Sequence, residues 1–365
     1  MSKKSVNAGV DASHGFEFQR NCALYLLLDD YDEYREKDFF LCIEHHDDFL
    51  YCFKSDEGIE KINAYQAKKM SGGIWKIDQR FSEIINKILN VGDELRKDDI
   101  KKTADYSHKL TFISNTEFEL NFKPLKKDNG KKDAIIRVNE TYPVCRYTEI
   151  HEDIKIKIED KIKEYCHIKG NEYNLLELNN FLIQWVDFPR NANAQKTHLI
   201  GLMKDKFPHV IDSKSAIDLL MNLFKEIELT YNKKHEAKLL DISKRVEGDI
   251  IKEAINVIEV EQKTFNLWRE ISKEVVIKFK FPLMVSRNAE FEISTAIELL
   301  KDMNNYEHQI IRDYVLKNDY AEIYYDYADL FQGYINKISE KHSINLSKKD
   351  FFFACLCSFV ECYGG

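Results

Sequence analysis

The chain has 365 residues, 44% hydrophobic and 32% charged, a balance that fits a folded soluble protein rather than a disordered one. That length exceeds the size at which single cores usually divide, so two domains are expected. A formal net charge of −8 excludes nucleic-acid binding through bulk basicity, and any such contact must come from local patches.

In chain order, residues 15–29 read as an amphipathic to buried helix with Ser13 as N-cap. The run FFLCIE at 39–44 suits a buried strand. Residues 48–54 and 62–69, joined by the polar turn Ser55-Asp56-Glu57-Gly58, read as adjacent antiparallel strands. Phe81, Ile84, Ile85, Ile88 and Leu89 recur every three or four positions, which predicts a helix over about 76–98. Residues 110–114 form another buried strand, closed by Asn115. The clearest loop is 123–133, with five lysines against two aspartates, and residues 135–138 and the stretch near Val144 add edge strands. From about 152 onward helices dominate, with apolar periodicity over 174–186, 214–229, 235–261, 289–317 and 320–340. A β-like segment at 274–285 interrupts them. The fold class is therefore α+β: an α/β core with a central mixed sheet flanked by helices, then a mostly α-helical domain. A boundary near residue 210 gives domains 1–210 and 211–365.

No run approaches the roughly 20 apolar residues that span a bilayer, and the start lacks a signal peptide's apolar stretch. A cytoplasmic protein without a membrane partner is expected. The eight cysteines form no CxxC pair and read as reduced thiols, most of them in apolar runs.

The chemistry concentrates in Glu44-His45-His46-Asp47-Asp48 and Gln66-Ala67-Lys68. Gln66 and Lys68, two apart on a strand, share a face, and a hairpin brings them to Asp48. An acid, an amide oxygen and an ammonium so gathered suit phosphodiester hydrolysis. The acid and a backbone carbonyl can hold Mg²⁺ or Mn²⁺, which activates a water, while the lysine orients it or stabilises developing charge. The principal ligand stays open among Glu44, Asp47 and Asp48. The bland alternative is a solvated turn followed by an exposed strand end. Adjacent His45 and His46 point apart and suit zinc poorly. Basic side chains for DNA phosphates are Lys69, Lys76, Arg80 and the loop lysines Lys123, Lys126, Lys127, Lys131 and Lys132. For the loop, a solvated surface excursion competes with that role.

Four short motifs occur in order: Gly15-Phe16-Glu17-Phe18-Gln19; Ile43-Glu44 with Asp48; Tyr65-Gln66-Ala67-Lys68; and Ile113-Ser114-Asn115-Thr116-Glu117-Phe118. Together they resemble the restriction-like PD-(D/E)xK nuclease superfamily in its glutamine variant, and more narrowly the double-stranded-DNA endonuclease domain of bacterial anti-phage effectors. The resemblance covers about the first 120 residues. It implies a restriction-endonuclease-like core, Asp48 as metal-ligating acid, Glu44 assisting the metal, Lys68 as catalytic lysine and Gln66 in the second acid's place. Glu17 is implied as a supporting group, or else a plain helix acid, and Gln19 as a structural hydrogen-bonding one.

Residues 211–365 carry no catalytic signature. Their length and helical character resemble the nuclease subunit of Lamassu defence systems (LmuA). That resemblance implies an SMC-like ATPase and an accessory subunit that restrain the nuclease, and a homo-oligomer when it is released. Two other readings stand beside it: activation by a cyclic oligonucleotide bound in the rear half, or a non-catalytic helical scaffold on a degenerate nuclease fold. The very apolar run 351–357 must be buried, in this chain or in a partner.

Overall fold

The computed structural model describes residues 8–43, 48–70, 72–124, 132–208, 210, 212–229, 245–302 and 304–364. Its first elements are α1 (Ala8–Asp29), α2 (Tyr31–Arg35), β1 (Phe39–Ile43), β2 (Phe49–Ser55), β3 (Gly58–Ala67), β4 (Trp75–Lys76) and α3 (Gln79–Lys97). Then come β5 (Lys102–Ser114), β6 (Phe118–Phe122), β7 (Ala134–Val138), β8 (Val144–Arg146), α4 (Glu152–Lys169), β9 (Phe181–Trp185), α5 (Ala192–Lys206), α6 (Ser213–Leu229) and β10 (Arg245–Glu247). The remainder is helical: α7 (Gly248–Phe279), α8 (Leu283–Arg287), α9 (Ala289–Lys301), α10 (Tyr306–Lys317), α11 (Tyr327–Lys341) and α12 (Lys348–Tyr363). Residues 1–206 and 217–252 form one compact unit, and residues 207–216 and 253–365 another.

The first unit is built on a mixed seven-stranded sheet in the order β10-β1-β2-β3-β5-β9-β8. Strands β3, β5 and β9 run parallel, and the other neighbours are antiparallel. Alternation along the strands sends Phe40, Cys42, Leu50, Cys52, Ile62, Ala64, Leu110 and Phe112 into a core with Phe81, Ile85 and Ile88 of α3 and Ile154, Ile158 and Ile162 of α4. The opposite face carries the aromatic set Tyr34, Phe39, Phe49, Tyr51 and Tyr65, in which Tyr65 stacks on Phe49 at 4.8 Å. Tyr51 Oη donates to the Ala23 carbonyl at 2.8 Å, pinning α1 on that side. Strands β4, β6 and β7 make a separate small sheet. The β2–β3 turn ends on Gly58, whose φ of +141° and close approach to Lys101 O leave no room for a Cβ.

The second unit packs around Trp268, Phe279, Phe281, Phe331, Phe352 and Phe353. The apolar run that closes the chain is α12, with Phe351 through Val360 all buried within this chain. Each of the eight cysteines is a free thiol, and seven are buried. No described helix is long and apolar enough to cross a membrane.

The expected class and the hairpin hold, and several elements differ. Helix α1 starts at Ala8, so Ser13 lies inside it rather than capping it. The expected helix at 174–186 is instead a short 3₁₀ turn, Leu176–Asn180, followed by strand β9. FLIQW reads on either period, and pairing with β5 and β8 decides it. Residues 274–279 are the end of α7 and not β-like: Val275 and Phe279, one turn apart, are buried while Ile277 is exposed. The residues reach the core only on the helical period, which overrides their β-branched composition. Residues 289–317 divide into α9 and α10 around Asp302–Asn305, where Asp302 Oδ1 accepts the Asn304 N–H. The helix expected from 320 starts at Tyr327, with Asp326 as its cap. Of the stretch 235–261, residues 235–244 lie outside the described residues, and the helix begins at Gly248 after β10.

Candidate functional site

The carboxyl ends of β3, β5 and β9 lie along one edge of the sheet, where open α/β sheets present their ligand sites. Asp48 stands immediately before β2. The register Phe49↔Tyr65, continued one step, sets position 48 opposite position 66. Lys68 follows the end of β3, and its N–H donates to the Ile113 carbonyl at 3.0 Å, so β5 still fixes its backbone.

These constraints make Asp48 and Lys68 converge. Lys68 Nζ lies 3.0 Å from Asp48 Oδ2 and 3.3 Å from Oδ1. Oδ2 also accepts the Ala67 N–H at 2.7 Å. Asp48 is only 8% exposed, so its charge is nearly desolvated, and the ammonium and the amide dipole offset that cost. Helix α1 reaches the same place: burial, then the Asp48 charge, pushes the Cys22 thiol well above its ordinary range. Gln66 is buried and shares the sheet face of Ile62 and Ala64.

The donor chemistry suits a hard divalent cation, with carboxylate oxygens from Asp48 and an amide oxygen from Gln66. Among the described residues no group of three His, Cys, Asp or Glu is arranged to hold an ion. Glu44, His45, His46 and Asp47 lie outside the described residues. On α1, Glu17 is partly exposed, whereas Gln19 is buried with Oε1 lacking a partner among the described residues.

The basic residues are not all in one place. Lys69, partly buried, adjoins Lys68, and Lys76 in β4 is exposed. Arg80, on the first turn of α3, lies over the Trp75 ring at 4.8 Å. Trp75 Nε1 in turn donates to Ser114 Oγ at the end of β5, at 2.9 Å. Lys123 follows β6, whose five residues separate it by roughly 17 Å from Phe118 beside Trp75. Lys132 lines an open groove that also holds Asp133, Glu149 and Asp153, so the field there is mixed in sign. Lys126, Lys127 and Lys131 lie outside the described residues.

Sequence reading missed the polar scaffold behind this edge. Ser114 accepts both the Trp75 indole and the Thr116 N–H. Asn115 Nδ2 donates to the Phe188 carbonyl after β9 at 2.9 Å. Asn21 donates to Gln195, which donates to the Pro189 carbonyl, tying α1 and α5 to the same loop. The Ser-Asn pair after an apolar strand was the available signal, but its partners lie far away in sequence.

Residues 7–234 match a family model described as Cap4, dsDNA endonuclease domain, more than half of the chain. No curated protein and no solved structure matches it.

Proposed function

We propose a mechanism for a chain that belongs to the Cap4 dsDNA endonuclease domain family, and so is a double-stranded-DNA endonuclease of anti-phage defence. It hydrolyses phosphodiester bonds at the edge formed by Asp48, Gln66 and Lys68, with little preference for sequence. The observation that carries this reading is the Asp48–Lys68 approach at 3.0 Å beside the Ala67 amide. A carboxylate and an ammonium that close, where the parallel strands β3 and β5 end, can serve a phosphate and a water together.

Asp48 offers ligand oxygens to a divalent cation, with Gln66 supplying a neutral one and Glu44 a second carboxylate. Mg²⁺ or Mn²⁺, when bound, supplies a water of lowered pKa and offsets the phosphate charge. Lys68 holds its ammonium towards the reacting phosphate and stabilises negative charge as it develops, a contribution typically on the order of 10²–10³ in rate. Glu17 and Gln19 support the site from α1. Lys69, Lys76 and Arg80 contact phosphates next to it, and the lysines of 123–132 contact the duplex farther out. Such contacts carry no base information, which supports low sequence specificity.

The rear region, residues 211–365, serves control and assembly. An SMC-like ATPase with an accessory subunit restrains the nuclease, and release lets it form the active homo-oligomer. The resemblance to the Lamassu nuclease subunit supports this.

Supercoiled plasmid incubated with the full chain and Mg²⁺ should be nicked and linearised, and chelation should abolish cutting. Asp48→Ala and Lys68→Ala should each lose cutting by about 10²-fold or more. Cutting that persists in Lys68→Ala overturns the assignment.

A further inference from the structure

We propose that Trp75 is a positioning residue that presents Arg80 as a pre-oriented phosphate clamp next to Lys68. The inference rests on the nuclease reading above and adds how the duplex backbone is held.

Trp75 is only 2% exposed, although it sits in a two-residue strand at the edge of the unit's small sheet. Its ring packs edge-on against Phe112 at 5.0 Å and stacks near Phe118 at 6.2 Å. Its N–H donates to the Glu117 carbonyl at 2.8 Å, and its indole Nε1 donates to Ser114 Oγ at 2.9 Å. Ser114 is fully buried and also accepts the Thr116 N–H at 3.1 Å, so the indole is bonded to an acceptor that cannot drift. The residue before it, Ile113, accepts the Lys68 N–H. Trp75 and Lys68 are thus anchored on consecutive residues of β5.

Arg80 lies over this indole, its guanidinium carbon 4.8 Å from the ring centroid, and the residue is exposed. Its backbone is held as well, because Asp78 caps α3 through the Phe81 N–H at 2.9 Å. A guanidinium stacked on an indole uses its flat face for the ring and keeps its N–H edge for a planar anion. Two parallel N–H groups on that edge match two oxygens of a phosphate. A lysine at position 80 would supply the charge without the stacked orientation. The ligand is therefore a backbone phosphate of the duplex, separate from the phosphate that meets Lys68.

Binding of the full chain to a labelled duplex of about 20 base pairs, measured without divalent cation so that cleavage does not intervene, tests this. Arg80→Ala should weaken binding by about tenfold and lower the log–log salt slope by about 0.9, the loss of one phosphate contact. Arg80→Lys should keep the slope and still lose affinity. Trp75→Leu should weaken binding when Arg80 is present and have no further effect in Arg80→Ala, a coupling that a merely structural role would not produce. Trp75→Phe, which keeps a ring but loses the Ser114 bond, gives the same cycle should the leucine variant not fold. Equal weakening in both backgrounds, or an unchanged slope in Arg80→Ala, overturns the proposal. Failure of the wild-type chain to cut plasmid with Mg²⁺ would instead strike the nuclease reading, and it is scored in a separate assay.

Discussion

Replacing Lys68 with methionine separates the two roles of the Asp48–Lys68 pair. The methionine keeps the aliphatic stem and removes an ammonium 3.0 Å from a carboxylate that is 8% exposed. Losing one partner of such a pair typically costs about 1–3 kcal/mol, because the other charge stays desolvated. Lys68 is itself 30% exposed, so water screens the pair and about 2 kcal/mol is the reasonable figure. For a unit of this size that lowers the melting midpoint by about 4–8 °C. A divalent cation at Asp48 reverses the loss, since saturation at about 100 times its Kd adds roughly 2.7 kcal/mol. Differential scanning fluorimetry with and without Mn²⁺ should therefore show a larger cation-induced shift in Lys68→Met than in the wild type. Asp48→Ala should show none. Cutting should be lost in both variants. A Mn²⁺ shift that survives in Asp48→Ala, or normal cutting by Lys68→Met, refutes the reasoning.

Three further outcomes follow from the packing. Gly92→Ala puts a Cβ about 2.7 Å from Leu110 Cδ1 and 2.8 Å from Glu177 Cγ inside α3. It should destabilise the first unit by about 1–3 kcal/mol in urea unfolding. Glu177 is buried against His108 and Asn180, at 2.7 and 2.6 Å, and pairs with Arg96. Burial alone would raise its carboxyl, but the hydrogen bonds from Asn180 and His108 and the charges of His108 and Arg96 outweigh burial and hold it below its ordinary value. A depressed carboxyl adds stability above the unfolded value, near 4.5, and loses it as pH falls through the folded one. Urea midpoints of the wild type should therefore drop more steeply below pH 5 than those of Glu177→Gln, and parallel profiles would refute this. Phe352→Ala removes a fully buried ring that meets Trp268, Phe279, Phe281 and Phe331 at 5.0–5.9 Å, and should cost the second unit about 3–5 kcal/mol. Circular dichroism melts read that loss.

The approach of Lys68 to Asp48 was legible because it is local. The hairpin turn and the two-residue period of Gln66 and Lys68 bring them to Asp48, and a hairpin needs only neighbouring residues to close. The periodicity of α3 was equally plain, since its apolar positions repeat over several turns. The boundary between α9 and α10 was not, because neither helix starts with a side-chain cap and the apolar periodicity continues across the break at Asp302.

The sequence by itself determined the class and the hairpin that carries Asp48, Gln66 and Lys68, because a hairpin is written in two neighbouring strands and the turn between them. Tertiary structure alone decided that FLIQW is a strand and that 274–279 is a helix, because short apolar runs fit either period until a partner surface selects one. It also decided that Arg80 lies over Trp75, whose indole is bonded to the end of β5, while Lys123 stands a strand's length from Phe118. Trp75, Ser114 and Phe118 set that geometry across gaps of 39 and 43 residues, through an indole hydrogen bond and ring packing that no local pattern encodes.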